Sequence, residues 1–373
     1  MSLLAASTVL LLAVVAGPAS AHGDNAHRAT VIPVAAGLDS PRGLAFLKNG
    51  TLVVAEAGHG GDVCLDGACL GVSGHVSKVD PTTGSHTPVV SGLFSVLDPE
   101  GGAVGIDGLS ARGGRLLGIM GLYPQAFAGA DCSKVPSAPA DCAEVLAAAQ
   151  SQAGALLTLR SNGSFKQITN VGAFDYQFTV DNPGGSVYGT EQDANPYGLL
   201  ALRQGTFVAD AGSNTLDWVA KDGTVSIVHR FPVPDPAEPF PTDAVPTCVA
   251  SSGDHLVVAD LAGRIWKETV GGDATLLSGP TGTTYAGGNH FTGCAADRDG
   301  NVYVVSMFNG LFPSPATAKT GSVVKVTASG DVATLAGTEG LDFPNGITVG
   351  EHGNLYITVG SISPNGGVVK VKQ

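Results

Sequence analysis

The chain has 373 residues, 53 of them Gly and 22 Pro, and only 14% carry charge. Turn-forming and β-branched residues in that proportion argue against long helices and for an all-β globule. The formal charge of −13, with no Lys/Arg cluster anywhere, excludes nucleic acid as a partner, because phosphate contacts need a basic face, and excludes an electrostatic membrane anchor.

The first element in chain order is an export signal. Residues 3–16 are an unbroken apolar or small run, too short for a comfortable bilayer span. Ala19-Ser20-Ala21 then supplies the small-x-small pattern that signal peptidase reads. Residues 1–21 are therefore expected to be removed, leaving a disordered stretch at 22–28 and one domain over 29–373. That domain works outside the cell, with no membrane span after cleavage.

From residue 41 the chain repeats one phrase. Pro41-Arg42-Gly43-Leu44-Ala45-Phe46 is followed by a turn at Asn49-Gly50 and the strand Thr51-Leu52-Val53-Val54-Ala55-Glu56. The phrase returns at 195–200 with 206–210 and at 245–250 with 255–260. It opens again at Phe291-Thr292-Gly293-Cys294 and Phe343-Pro344-Asn345-Gly346, with a degraded copy at Glu100-Gly101-Gly102. A unit of about 45–50 residues made of short strands and tight turns is a propeller blade. Six copies predict six four-stranded blades. The last has strands only at 346–349, 354–358 and 367–371, while 29–36 precedes the first copy without a partner. Docking that orphan strand as the outermost strand of the sixth blade closes the ring and removes an open edge.

Two insertions, 123–152 and 170–194, interrupt the rhythm. In the first, Asp141 is placed to cap a short helix with Glu144 reaching back, and Gly154 ends it. The second carries Phe174, Tyr176, Phe178, Tyr188, Glu191 and Asp193. Connections of these two kinds, within a blade and onward to the next, leave from one end of the ring, so both insertions stand over the same channel mouth. Six cysteines in an exported chain predict three disulfides. Cys64 and Cys69 bracket a tight turn, and Cys132 and Cys142 close a local loop. Cys248 and Cys294 occupy the same register in consecutive innermost strands. None of these spacings has the paired pattern that zinc needs.

Pro41-Arg42-Gly43-Leu44-Ala45-Phe46 with Leu52-Val53-Val54-Ala55-Glu56, Asn195-Pro196-Tyr197-Gly198, Val208-Ala209-Asp210-Ala211-Gly212-Ser213-Asn214 and Val245-Pro246-Thr247 resemble the ScyD/ScyE family over about residues 29–372. Its members are exported six-bladed propellers, named for cyanobacterial scytonemin gene clusters and also found in other bacteria. The resemblance implies fold and export; the family offers no catalytic residues to carry over. This chain departs from it in the short passage from Asp260 to Arg264.

Acidic and amide side chains precede each innermost strand and would ring the channel: Asp39 with Arg42, Asp98 with Glu100, Asp193 with Asn195, Asp243, Asn289 with His290, and Asp342 with Asn345. Such a mix suits a hard cation like Ca²⁺ and is similar to lactonase-type six-bladed propellers, which hold calcium in the channel. That likeness implies Glu100, Asn195 and Asn345 as metal ligands and His290 as proton carrier, with the metal polarising a substrate carbonyl. Against it, Asp, Asn and Pro populate such loops simply because they make turns. Arg42, Tyr176, Glu191, Asp193 and Asn289 are expected to line the mouth as ligand contacts. Glu56, Asp210 and Asp260 end their strands as backbone acceptors that pin one blade to its neighbour. A quinone-dependent dehydrogenase would need more cationic residues than the mouth offers, and the Gly-x-Ser-x-Gly elbow is missing. The leading expectation is a monomeric, non-catalytic propeller that binds a small ligand or an envelope or protein partner at its mouth. The alternative is a Ca²⁺-dependent lactonase or esterase.

Overall fold

The architecture is that of a six-bladed β-propeller, seen in a computed structural model that describes residues 28–99, 101–135, 137–184, 192–232, 243–269, 272–279, 288–310 and 320–373. Residues 1–21, read from the sequence as an export signal, and Glu100 and Glu191 lie outside the described residues. Each blade starts on the axis with one strand: Pro41–Phe46, Ile106–Arg112, Pro196–Ala201, Pro246–Ser252, Asn289–Ala296 and Ile347–Val349. Second strands such as Leu52–Glu56 are buried at every position, whereas outermost strands such as Val225–Arg230 are mostly half-exposed. An unbroken apolar run is what a strand covered on both faces requires.

The ring closes as the sequence predicts. Thr30–Leu38 pairs antiparallel with Gly366–Lys372, from Thr30 opposite Lys372 to Leu38 opposite Gly366, and so completes the sixth sheet. The apolar core lies between blades rather than on the axis. Across blades four and five, for example, Ala250, Val257 and Ala259 pack with Phe291, Val302, Val304 and Val324.

Innermost strands approach so closely that Gly is needed at one register. A Cβ on Gly43 would lie 2.7 Å from the Leu109 amide nitrogen, and one on Gly346 2.5 Å from the Arg42 carbonyl oxygen. Gly108, Gly198 and Gly293 hold the same place; blade four has Cys248 there instead. All three expected disulfides are present, with Cα separations of 4.0, 6.0 and 5.7 Å for Cys64–Cys69, Cys132–Cys142 and Cys248–Cys294. Cys248 faces Ala259 in its ladder as Gly293 faces Val305 in the next. The third bridge therefore runs diagonally, one residue off the equal register expected.

Other expectations need correction. Ala103–Val104 pairs with the outermost strand of blade one, so the second blade begins at Ile106. The first insertion forms helix α1, Cys142–Gln152, but Asp141 makes no side-chain cap; the disulfide at Cys142 fixes the helix start instead. The second insertion also contains a helix, α2, Val171–Asp181, capped by the Asn170 side chain on the Ala173 amide at 2.7 Å. Among the described residues no helix is long and apolar enough to cross a membrane.

Candidate functional site

The residue before each conserved-register Gly or Cys points into the channel, giving a ring of Arg42, Asp107, Tyr197, Thr247, Thr292 and Asn345. The chain reaches this ring through a sharp entry turn. Ser40, Val245 and Phe343, each directly before a Pro, sit at φ of 49°, 52° and 37°, a region L-residues with bulky side chains rarely occupy. Their carbonyls accept the amides of Ala57, Leu261 and Ser361 at 3.1, 2.9 and 3.2 Å, which holds the turn. Strain of this kind persists where surrounding structure over-determines it.

Four ring members form one buried polar network. Arg42 donates to the Ala103 carbonyl at 2.5 Å and to the Tyr197 hydroxyl at 3.5 Å, and its Nε lies 3.7 Å from Asp107 Oδ1. Asn345 Nδ2 donates to the same Tyr197 hydroxyl at 2.5 Å. Burial pushes the Asp107 carboxyl up to about 7 against the pull of Arg42. Burial also raises the Tyr197 phenol. For Arg42, burial opposes the charge, but Tyr197 and Asp107 outweigh it and raise the guanidinium further. The two threonines are turned to backbone: Thr247 donates to the Phe291 carbonyl at 2.7 Å and Thr292 to the Asn345 carbonyl at 3.1 Å. The channel cavity that remains is about 60 Å³, room for a few water molecules.

The residues expected to hold metal are placed as follows. Asn195 Oδ1 accepts the Leu122 amide at 2.8 Å, and with Asp107 Oδ2 it flanks Gly121, where a Cβ would meet both oxygens. Asn345 presents its nitrogen to Tyr197, beside a guanidinium. A nitrogen beside a guanidinium is not what a hard dication takes as a ligand; Glu100, the third residue of the set, lies outside the described residues. Among the described residues no three His, Cys, Asp or Glu side chains are placed to hold a metal ion. His290 is 2% exposed, with its ring stacked on Phe308 at 3.9 Å. Its Nε2 lies 2.8 Å from the Gly310 carbonyl, and it also hydrogen-bonds the Leu261 backbone. Burial pushes it down to about 4, so it is neutral. Asn289 is half-buried at the entry of its strand, opposite Asn309.

The rim beside Asn195 is built by the two insertions together. Tyr123 and Tyr176 stack at 4.9 Å and 17°, and Tyr176 donates to Gln192 Oε1 at 3.1 Å. Asp193 accepts its neighbour's amide, Ala194 N–H, at 2.8 Å, and its carbonyl accepts the Thr179 hydroxyl at 3.4 Å. Helix α2 is turned inside out: it buries Val171, Gly172, Asp175 and Thr179. Phe174 is 36% exposed, while Tyr176 and Phe178 are half-exposed. Arg230 lies over the Phe178 ring at 5.3 Å.

Across the mouth, the strand-end acids act inside their own blades rather than between blades. Glu56 accepts the Asp39 amide at 2.7 Å and pairs with His75 at 3.1 Å. Asp260 accepts the Arg264 amide and Nε and the Trp266 indole N–H at 2.9, 2.8 and 2.9 Å. Asp39 itself holds His59, with Oδ2 2.5 Å from Nδ1 and the imidazole 64% exposed. Sequence reading missed Asp107, Tyr197 and His59. The first two share the register of Arg42 and Asn345, so alignment of the repeats was the signal for them.

No protein-family model matches the chain, and no curated protein matches its sequence. Among solved structures it is similar to a protein of unknown function from Bacteroides thetaiotaomicron at 12% identity over 92% of this chain and 75% of that one, TM-score 0.56. It is also similar to a gluconolactonase from Xanthomonas campestris at 12% over 94% and 92%, TM-score 0.53. A putative gluconolactonase matches at 13% over 92% of each chain, TM-score 0.51. At such identities the likeness is one of fold.

Proposed function

We propose that this propeller binds a small ligand, or a protein or envelope partner, at its channel mouth without catalysis. One observation carries the reading: α2 leaves Phe174 exposed and Tyr176 and Phe178 half-exposed at the rim while it buries Asp175 and Thr179. A helix folded only for stability does the reverse. Half-exposed rings with a polar handle are the side chains from which binding surfaces are built. A channel cavity of about 60 Å³ has no room for such a ligand, so the reading puts it at the rim. Read with the export signal at 1–21 and the ScyD/ScyE resemblance, a monomeric ring meets its ligand outside the cell. Thermal-shift screening tests it, since a ligand that binds only the folded chain raises its melting temperature. A hit whose shift disappears in Tyr176→Ala supports the rim; a hit indifferent to that variant removes it.

A hydrolytic reading has one observation in its favour, the Asp39–His59 pair. A carboxylate holding Nδ1 leaves the exposed Nε2 aimed outward, the arrangement of a general base. Turnover of simple lactones or esters, abolished in His59→Ala, would replace the binding reading with this one.

A further inference from the structure

Beneath α2, three carboxyl groups meet without a cation. Asp210 ends the strand Gly205–Asp210, Asp217 lies in the strand Thr215–Ala220, and Asp175 enters their space from the helix. All three are 0% exposed. Asp210 Oδ1 is occupied by the amides of Asn195, Gly212 and Ser213 at 2.8, 2.9 and 2.9 Å, and Asp217 Oδ2 accepts the Thr215 hydroxyl at 3.3 Å. The oxygens left over have no donor: Asp210 Oδ2, Asp217 Oδ1 and both of Asp175. Asp175 is thus a fully buried side chain from a separate element, aimed at a pair of acids it can bond only if a proton lies between them. It sits within hydrogen-bonding reach of both.

The surroundings offer no counter-charge. Among the described residues no ion pair includes any of the three. The elements packed most closely on α2, Pro124–Phe127 and Ala155–Leu159, carry no titratable side chain, and Tyr123 beside them is stacked on Tyr176. Asp193 accepts its own neighbour's amide, Asp181 accepts from Gln177, and Arg230 is directed to Phe178 and the Asn182 carbonyl. Bare charges buried together are prohibitive, and such groups neutralise instead. A carboxyl with no cation beside it neutralises by taking up a proton.

We propose that Asp175, Asp210 and Asp217 form a proton-held latch that fastens α2 to blade three and releases it, with the aromatic rim it carries, as pH rises. Burial first, then repulsion from neighbouring carboxylates, holds Asp175 and Asp217 well above the ordinary carboxylate range; the titration is theirs, and Asp210 is the buried acid they face. An acid whose pKa is raised in the docked state binds more protons there than when released. Docking is therefore complete at acid pH and is lost as pH climbs through the raised values. Apolar burial adds little to the docking, because Val171 is the one large apolar side chain that α2 fully buries; the other ties are at the rim, where Tyr176 stacks on Tyr123 and Thr179 donates to the Asp193 carbonyl. The latch stands independently of the binding reading; only its consequence for a ligand rests on it.

Hydrogen exchange of the α2 amides in the full chain at pH 5 and pH 8, corrected for intrinsic rates, tests this without any ligand. Protection of 171–181 should fall by about tenfold for each unit by which the docked pKa exceeds the free one, while the blade strands stay unchanged. Asp175→Asn, isosteric and without a titrating proton, should shrink the difference between the two pH values, and Asp217→Asn should do so independently. Equal protection of the wild type at both pH values overturns the latch. So does loss of protection at both pH values in the Asn variants together with a stoichiometric metal in the wild type by mass spectrometry, which would assign a cation there.

Discussion

Two insertions stand over one mouth and are fastened by opposite means. Helix α1 buries Cys142, Val145, Leu146 and Ala149 into the cluster that contains Phe94 and Phe127, whose rings meet edge to face at 5.2 Å, and a disulfide ties its first residue to Cys132. Helix α2 has the same 11-residue length but buries an acid, a threonine, a glycine and one valine. Apolar burial is non-directional and indifferent to protonation, so α1 behaves as scaffold under any conditions. Buried acids are directional and titrate, so α2 is held conditionally. On the proposed reading, α1 supports and α2 recognises.

Three measurements would break or sharpen that contrast. Leu146→Ala, at a site 7% exposed, should lower unfolding free energy in urea by about 3 kcal/mol through lost burial and a residual cavity. Replacing both Cys132 and Cys142 by Ser should cost about 2 kcal/mol, since the bridge closes a loop only 10 residues long and acts mainly on the unfolded chain. Tyr176→Leu, which removes the stack on Tyr123, should cost about 1 kcal/mol, measured in the same titration, and should act chiefly on binding at the rim. If Tyr176→Leu proved the most damaging and Leu146→Ala the least, support and recognition would have to exchange places.

The buried polar clusters repeat the lesson on the axis. Arg42 and Asp107 bury a cation beside an acid, 3.7 Å apart, whereas Asp175, Asp210 and Asp217 bury acids beside one another. The first cluster narrows the bore; the second is the one proposed to depend on protons.

How far the sequence carried depends on how local each feature is. Blade boundaries were legible because each phrase states its own strand, turn and strand within about a dozen residues. The short disulfides were legible for the same reason. Helix α2 was not, because Phe174, Tyr176 and Phe178 alternate with the residues it buries, and that pattern has no helical apolar stripe to read. Asp141 had the right residue type and spacing for a cap, yet the neighbouring disulfide set the backbone first. The Cys248–Cys294 bridge was found although its register was off by one, since strands in adjacent blades are staggered in a way the repeats do not record.

By itself the sequence determined the number of blades, the strand that seals the ring and the partners of all six cysteines, because periodicity, strand arithmetic and turn chemistry are written within single repeats. Only the tertiary structure decided that Arg42 meets Tyr197 across 155 positions, and that Asp175 descends onto Asp210 and Asp217. Those meetings are set by the curvature of the ring and the fold-back of an insertion. No residue carries information about either until the blades are packed.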